Sequence, residues 1–413
     1  MPLKQLFMAG LLACLALSGL PAGAAPQSPP TALAELLEQV WQTHPGIQAA
    51  QSAVEAARAR GEASGKPIYN PELEMDAEKT SVKTLSLGIN QTIDWGDKRG
   101  AQRQMGSAGV RIAQAELDAR RLQVSGEVLA ALARYHNARD LLQLARRNNE
   151  LIEQLVATTE QRYTAGDTGQ LDVAMARVAL GQARMQLARR EAAVALQRTA
   201  LMAASGLSLT QWPRLPAQPP APPGEPPRDA LLAQLPELVA QQARIRNAKA
   251  AIELARATRK ADPTLGLRGG AEESELLLGL NLSIPLYVRN RYTAEVTAAS
   301  QEAVLEEKTL LDIRRRAASR FDGSLSAYRI THQAWRQWLK QGEGELERQL
   351  SLVQRIWEAG ELSTIDYLLQ TQQNIDSQIT ATELNGDLWQ AWIEWLSASG
   401  QIEAWVGITA KRD

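Results

Sequence analysis

The sequence predicts a mainly helical chain with a small β part, built twice over from long helical hairpins and pairs of short strands. Three observations predict it. A turn motif recurs: Arg162 to Asp172, RYTAGDTGQLD, returns as Arg355 to Asp366, RIWEAGELSTID. From Gly166 and Gly360 onward the copies run in register, so that Gly166, Leu171, Asp172, Ser205 and Gly206 match Gly360, Ile365, Asp366, Ser399 and Gly400. Ahead of each turn, two stretches alternate apolar and polar residues with a period of two, the mark of strands with one apolar face. The composition is dominated by Ala, Gln, Leu, Arg and Glu, with two Phe in 413 residues, as in long helices and coiled coils.

The first element reads as an export signal. Lys4 supplies the positive end, Leu6 to Leu20 is a short apolar run, and Ala22-Gly23-Ala24 is an A-x-A cleavage site. Residues 1–24 are therefore expected to be removed, since the run is too short for a spanning helix. Cys14, the sole cysteine, follows Leu11-Leu12-Ala13, which weakly resembles a lipoprotein signal; Leu12 fits it poorly and the apolar run continues past Cys14. One Cys and three His leave no basis for a Cys/His metal site or a disulfide framework. Acids and bases nearly balance, 46 against 45, so no bulk charge points to nucleic acid. No later run of eighteen apolar residues suggests a transmembrane helix.

The first repeat covers residues 25–206. A helix over 31–66 is capped by Thr31 and carries Leu33, Leu36, Leu37, Val40 and Trp41 at helical spacing, with His44-Pro45 interrupting it. A β-hairpin follows over about 68–95. In it Leu73, Met75 and Ala77 alternate with Glu72, Glu74, Asp76 and Glu78, and Leu85, Leu87, Ile89, Ile93 and Trp95 alternate with Ser86, Gly88, Asn90, Thr92 and Asp94. A helical stretch of roughly 65 residues, about 100 Å long, then runs from near Ala101 to the turn at Gly166, and a return helix runs from Leu171 to near Ala204.

Residues 207–229 form a linker with eight prolines, extended and without a core of its own. The second repeat, 230–400, restarts the programme: Leu235-Pro236 echoes His44-Pro45, and Asp262-Pro263 echoes Asn70-Pro71. Its hairpin, over about 264–287, places Leu265 and Leu267, and then Leu276, Leu278, Leu280, Leu282, Ile284 and Leu286, on one face opposite Gly279, Asn281 and Ser283. One continuous rod is expected from near Asn290 to the turn at Gly360, and its partner from Ser363 to Ser399; residues 401–413 close the chain as a short tail. Leu141, Leu144, Leu151 and Leu155 read as a coiled-coil seam.

Two hairpins give four strands, and an open four-stranded sheet cannot sit in a bilayer with its edge N–H and C=O groups unpaired. Several copies must close one barrel, and three copies give twelve strands, enough to enclose a water-filled lumen. Tyr69, Trp95 and Tyr287 all fall at strand ends adjoining helices and would form one aromatic belt, with the rods hanging from that side into the periplasm. The rival reading is a soluble coiled-coil scaffold whose strands pack on its own core.

Gln91-Thr92-Ile93-Asp94-Trp95-Gly96-Asp97-Lys98-Arg99, the second junction Ile284-Pro285-Leu286-Tyr287 and the duplicated tip turns carry a resemblance to the TolC-like outer-membrane efflux proteins. It covers essentially the whole chain after the signal. The first junction is most like the heavy-metal, cobalt–zinc–cadmium branch, which usually has Gly-Lys-Arg where this chain has Asp97 before Lys98. The resemblance implies the internally duplicated efflux-channel fold: a homotrimer with a twelve-stranded barrel in the outer membrane of a Gram-negative bacterium and a periplasmic helical tunnel. Its implied partners are a periplasmic adaptor, an inner-membrane pump of the resistance-nodulation-division (RND) class, and outer-membrane lipid. It implies no cofactor and no catalysis. His44, His136 and His332 lie in different helical segments, and no nucleophile triad, phosphate loop or metal cluster appears.

Three sets of residues are expected to carry function. The tips, Arg162, Gly166, Leu171 and Asp172 with Arg355, Trp357, Gly360, Ile365 and Asp366, are implied to close the tunnel and receive the adaptor. Asp172 and Asp366 are either helix caps or, in a trimer, rings of three carboxylates that favour cations. Many relatives lock the tip with a basic side chain and a Tyr; Leu362 and Trp357 stand at those places. Glu72, Glu74, Asp76 and Glu78 would line the pore, either as a lining suited to divalent cations or as ordinary lumen polarity. Leu85, Leu87, Ile89, Leu278, Leu280 and Leu282 would face lipid. Divalent heavy metals are the expected cargo; organic compounds or a type I secretion pathway are the alternative, and a periplasmic adaptor is a rival of another class.

Overall fold

The computed structural model describes residues 31–408. The expected signal peptide, with Cys14 and the cleavage site, lies outside the described residues, as does the end of the tail. The first repeat holds α1 (Thr31–Thr43), α2 (Pro45–Ser64), β1 (Glu72–Lys79), β2 (Lys83–Thr92), α3 (Lys98–Ala165) and α4 (Gln170–Ser205). The second holds α5 (Arg228–Gln234), α6 (Pro236–Thr258), β3 (Thr264–Glu272), β4 (Glu275–Ser283), α7 (Thr293–Gln341), α8 (Glu343–Glu358) and α9 (Thr364–Ser399), and α10 (Ile402–Val406) closes the chain.

Proline punctuates both repeats identically. Pro45 and Pro236 open α2 and α6 at a first-turn position, where the missing N–H is no loss and the fixed φ suits a helix. The tips end alike too. Gly166 (φ +86°) and Gly360 (φ +79°) are left-handed, a conformation that a Cβ disfavours. Behind them Asp167 N–H donates to the Arg162 carbonyl at 2.9 Å and Glu361 N–H to the Ile356 carbonyl at 3.1 Å. Two crossing bonds of this kind satisfy the last free carbonyls of each rod.

At 68 residues, α3 is about 100 Å long; it packs along α2, α4, α6 and α9. The second rod is not continuous. It breaks between α7 and α8 at Gly342, where the Trp338 indole occupies the space a Cβ would need, 2.3 Å away. Gly342 and Gly344 fall two residues apart and give this point low helix propensity, while the Gly342 N–H still reaches the Trp338 carbonyl at 2.8 Å.

The main core gathers α1, the middle of α3, the ends of α4 and α9, and α10, with Leu33, Leu37, Leu129, Leu132, Leu201, Leu388 and Leu396 fully enclosed. The proline-rich linker has no helix or strand over residues 206–227 yet is docked: Leu207 and Trp212 enter this core. His136 donates to the Pro213 carbonyl at 2.8 Å, Tyr328 to the Pro220 carbonyl, and Arg329 to the Pro223 carbonyl at 3.0 Å.

The four strands form one antiparallel sheet in the order β1-β2-β3-β4, so the two repeats meet at β2 and β3. The strands are shorter than the expected hairpins. β4 ends at Ser283 rather than near 287, because Pro285 has no N–H to give a ladder. Register aligns the apolar positions, with Leu277 in the opposite row beside Gly270 as the exception: Leu73, Ile89, Leu267 and Leu280 form one cross-strand row, and Met75, Leu87, Gly269 and Leu278 the next but one. β1 and β4 each have a free outer edge.

Candidate functional site

The sheet has two unlike faces. On one, Leu73, Met75, Leu85, Leu87, Ile89, Leu267, Leu276, Leu278, Leu280 and Leu282 are all exposed, Leu280 to 86%. A contiguous apolar face of this extent marks an interaction with lipid or protein. Glu72, Glu74, Asp76 and Glu78 share the other face with Ser86, Asn90, Asn281, Arg268, Glu272 and Glu275. Asn90 donates to the Glu74 carboxylate at 2.7 Å. Glycines crowd this face: a Cβ on Gly266 would strike Asn90, and one on Gly270 would strike the Leu85 carbonyl. This face therefore sets small residues opposite large ones. Arg268 was not singled out in the sequence, although its parity already placed it on the acidic face.

The junction between sheet and rods is held by one carboxylate. Asp262, 5% exposed, accepts from the Tyr69 hydroxyl at 2.6 Å, the Trp95 N–H at 3.3 Å and the Lys98 ammonium at 2.5 Å. Burial alone would push its carboxyl up, but Lys98 and Tyr69 outweigh that and hold it below the usual carboxylate range. Burial opposes the charge on Lys98, and the bond to Asp262 overcomes it and raises the ammonium pKa. The Tyr69 phenol is raised chiefly by its bond to Asp262.

The rest of the junction motif is equally committed. Asp94 accepts from the Lys98 and Arg99 N–H groups at 2.9 Å each, and Asp97 from Gly100 N–H at 3.1 Å, so two carboxylates cap α3. Arg99 donates to the Gly65 carbonyl at 2.7 Å, tying α3 to the end of α2. A Cβ on Gly96 would lie 2.6 Å from the Ala257 carbonyl oxygen. Of the three expected belt aromatics, Trp95 is exposed to 69%. Tyr287 packs edge-on against Tyr292 with centroids 5.1 Å apart, and Tyr69 has its hydroxyl turned inward to Asp262.

At the tips, Leu171, Arg355, Ile365 and Asp366 are exposed and Asp172 is half-buried. Asp172 accepts from the Thr168 hydroxyl at 2.8 Å and the Gly169 N–H at 3.2 Å. Asp366 accepts from the Ser363 hydroxyl at 2.6 Å, and Ser363 in turn accepts from Asp366 N–H at 3.1 Å. Asp172 thus takes the N-cap backbone N–H of α4, while at α9 Ser363 is the cap and Asp366 holds its hydroxyl. Trp357, expected among the tip contact and constriction residues, is enclosed within the chain. It is 5% exposed, because α8 turns it inward to stack on Tyr367 with centroids 4.7 Å apart. Arg162 lies over the Trp357 ring, 4.6 Å from its centroid, and donates to the Trp357 and Glu358 carbonyls. With Ile152, Leu155 and Ala183 these rings form a second small core, with Leu362 packed against it. Trp357 and Leu362 thus help join one hairpin to the other.

Among the described residues no group of His, Cys, Asp or Glu has metal-holding geometry, and no helix is long and apolar enough to cross a membrane. Comparison with known proteins agrees with the sheet and the rods. Residues 36–207 match the family described as outer membrane efflux protein. The cobalt-zinc-cadmium resistance protein CzcC of Cupriavidus metallidurans is 25% identical over 344 residues, 81% of this chain and 78% of that protein. The pyoverdine export outer membrane protein OpmQ of Pseudomonas putida is 25% identical over 391 residues, 83% of this chain and 80% of that one. Among solved structures, the outer-membrane channel OprN shares the fold with a TM-score of 0.77 at 17% identity, covering 90% of both chains. By matched segment, relatives and fold together, this chain is similar to the outer membrane efflux proteins and has the fold of solved outer-membrane channels.

Proposed function

We propose that three copies of this chain close one twelve-stranded barrel and one periplasmic tunnel, and that the channel works with a periplasmic adaptor and an inner-membrane RND pump to export divalent heavy-metal cations. The observation that carries the channel reading is the sheet: an exposed apolar face, a polar face and two free edges. Such edges are tolerable in hydrocarbon only when neighbouring copies pair them. Leu85, Leu87, Ile89, Leu278, Leu280 and Leu282 then face lipid, and Glu72, Glu74, Asp76 and Glu78 face the lumen. The exposed tip residues Leu171, Arg355 and Ile365 offer the adaptor a surface.

Similarity to a cobalt-zinc-cadmium resistance protein and a polar face bearing six carboxylates against one guanidinium in its strands support metal cargo. Equal identity to a pyoverdine export protein supports the second reading, export of organic compounds through the same channel. The test is growth of a deletion strain across graded zinc, cobalt, cadmium, nickel, copper and silver, beside dyes, detergents and antibiotics, with the intact gene restored as control. Sensitivity confined to metals is the expected result. Sensitivity to organic compounds alone transfers the cargo to the second reading, and no sensitivity to either overturns efflux as the role.

A further inference from the structure

The row through the middle of the polar face is Glu74, Gly88, Arg268 and Gly279, one residue from each strand in order. Arg268 is the one cation of the strands on that face, and both its cross-strand neighbours are glycines. Those glycines make room for it. A Cβ on Gly88 would lie 3.3 Å from the Arg268 Cβ, and one on Gly279 would lie 2.8 Å from its Nε. The side chain thus lies flat across β4, towards the free edge. It turns away from Glu74 of its own chain, whose carboxylate is taken by Asn90. Among the described residues it has no ion-pair partner.

The opposite edge of the sheet is β1, whose polar face is Glu72, Glu74, Asp76 and Glu78, all exposed. One edge of the chain therefore offers a row of carboxylates, and the other an arginine laid over a strand that is bare at that level. Strands lie about 4.8 Å apart, so β3 is about 10 Å from whatever strand pairs with the far side of β4. A long arginine and a carboxylate side chain span that distance together.

We propose that Arg268 is a tie between subunits: its guanidinium passes over Gly279 to a β1 carboxylate of the next copy and fixes the order and register of the closing seam. The occupant of the β4 edge is a second copy of this chain, and the argument for it is charge complementarity between the two edges. The inference rests on the barrel proposed above.

The test uses the full-length protein purified from outer membranes in mild detergent. The readout is the temperature at which the oligomer is lost on a gel run without boiling. Arg268→Glu is expected to lower that temperature or abolish the oligomer, and adding one of Glu72→Lys, Glu74→Lys, Asp76→Lys or Glu78→Lys is expected to restore it. Arg268→Cys combined with Cys at the restoring position is then treated with a short bis-maleimide. Covalent dimers and trimers support the tie. A product confined to single chains, an Arg268→Glu oligomer as heat-resistant as the parent, or failure of all four reversals overturns it. A parent protein that forms no oligomer sinks the barrel reading instead, so the two failures are told apart.

Discussion

Replacing Leu280 by Arg tests which face of the sheet meets lipid. Leu280 lies within one residue of the centre of β4, is 86% exposed, and shares its row with Leu267, Ile89 and Leu73. That row sits near the middle of β3 and β4, so in a membrane-spanning barrel the substitution places a guanidinium close to the bilayer midplane. The cost there is about 2–4 kcal/mol per chain, or roughly 30- to 1000-fold in a folding or assembly equilibrium. Asn281→Arg, one residue along and on the opposite face, is the control and is expected to assemble normally. The assay is the amount of heat-labile oligomer in washed outer membranes. Equal assembly of the two variants refutes the reasoning, and loss of assembly in Asn281→Arg alone shows that the faces are assigned the wrong way round.

Three further outcomes are expected. Trp357→Ala empties the small core shared with Tyr367 and Ile152, at a cost of about 3–5 kcal/mol, and should speed hydrogen exchange in α8 and early α9 while Val128 to Leu132 in α3 stay protected; uniform loosening would contradict a separate tip core. Asp262 has a depressed folded pKa, so its stabilisation is full above the ordinary carboxylate value of about 3.9 and is lost as pH falls through the lower folded value. In melting curves from pH 7 downward, Asp262→Asn should start less stable and show a shallower acid-side decline, and an unchanged decline would remove Asp262 as its source. Ser363→Ala should cost about 1 kcal/mol of helix capping without altering conductance, whereas Asp366→Asn should also lower cation selectivity in single-channel recordings; unchanged selectivity leaves Asp366 as a support of the Ser363 cap alone.

What the sequence made legible is what local chemistry decides. The period-two alternation around Leu85 and Leu278 specifies a face, because a one-residue slip would turn every apolar side chain over. Gly166 and Gly360 announce the tips because few other residues tolerate a positive φ. What stayed hidden depends on partners far along the chain. Asp262 meets Tyr69 and Lys98 across 193 and 164 residues, so its spacing carries no signal beyond the echo of Asn70-Pro71. Arg268 gains meaning only when β2 pairs with β3 and brings Gly88 into its row. The inward turn of Trp357 depends on Tyr367 lying across the tip, and the break at Gly342 on a Trp338 ring that folds over it.

The proline-rich linker carries one more consequence. Proline has no N–H, so this strap offers the helices carbonyls and takes its donors from them: His136, Tyr328 and Arg329. A strip of backbone that mainly accepts cannot serve as a template for an added strand, because ladder formation needs donors and acceptors in alternation. In the proposed barrel, whose β1 and β4 edges await neighbouring copies, this long segment outside the helices and the sheet is thereby removed from the competition for pairing.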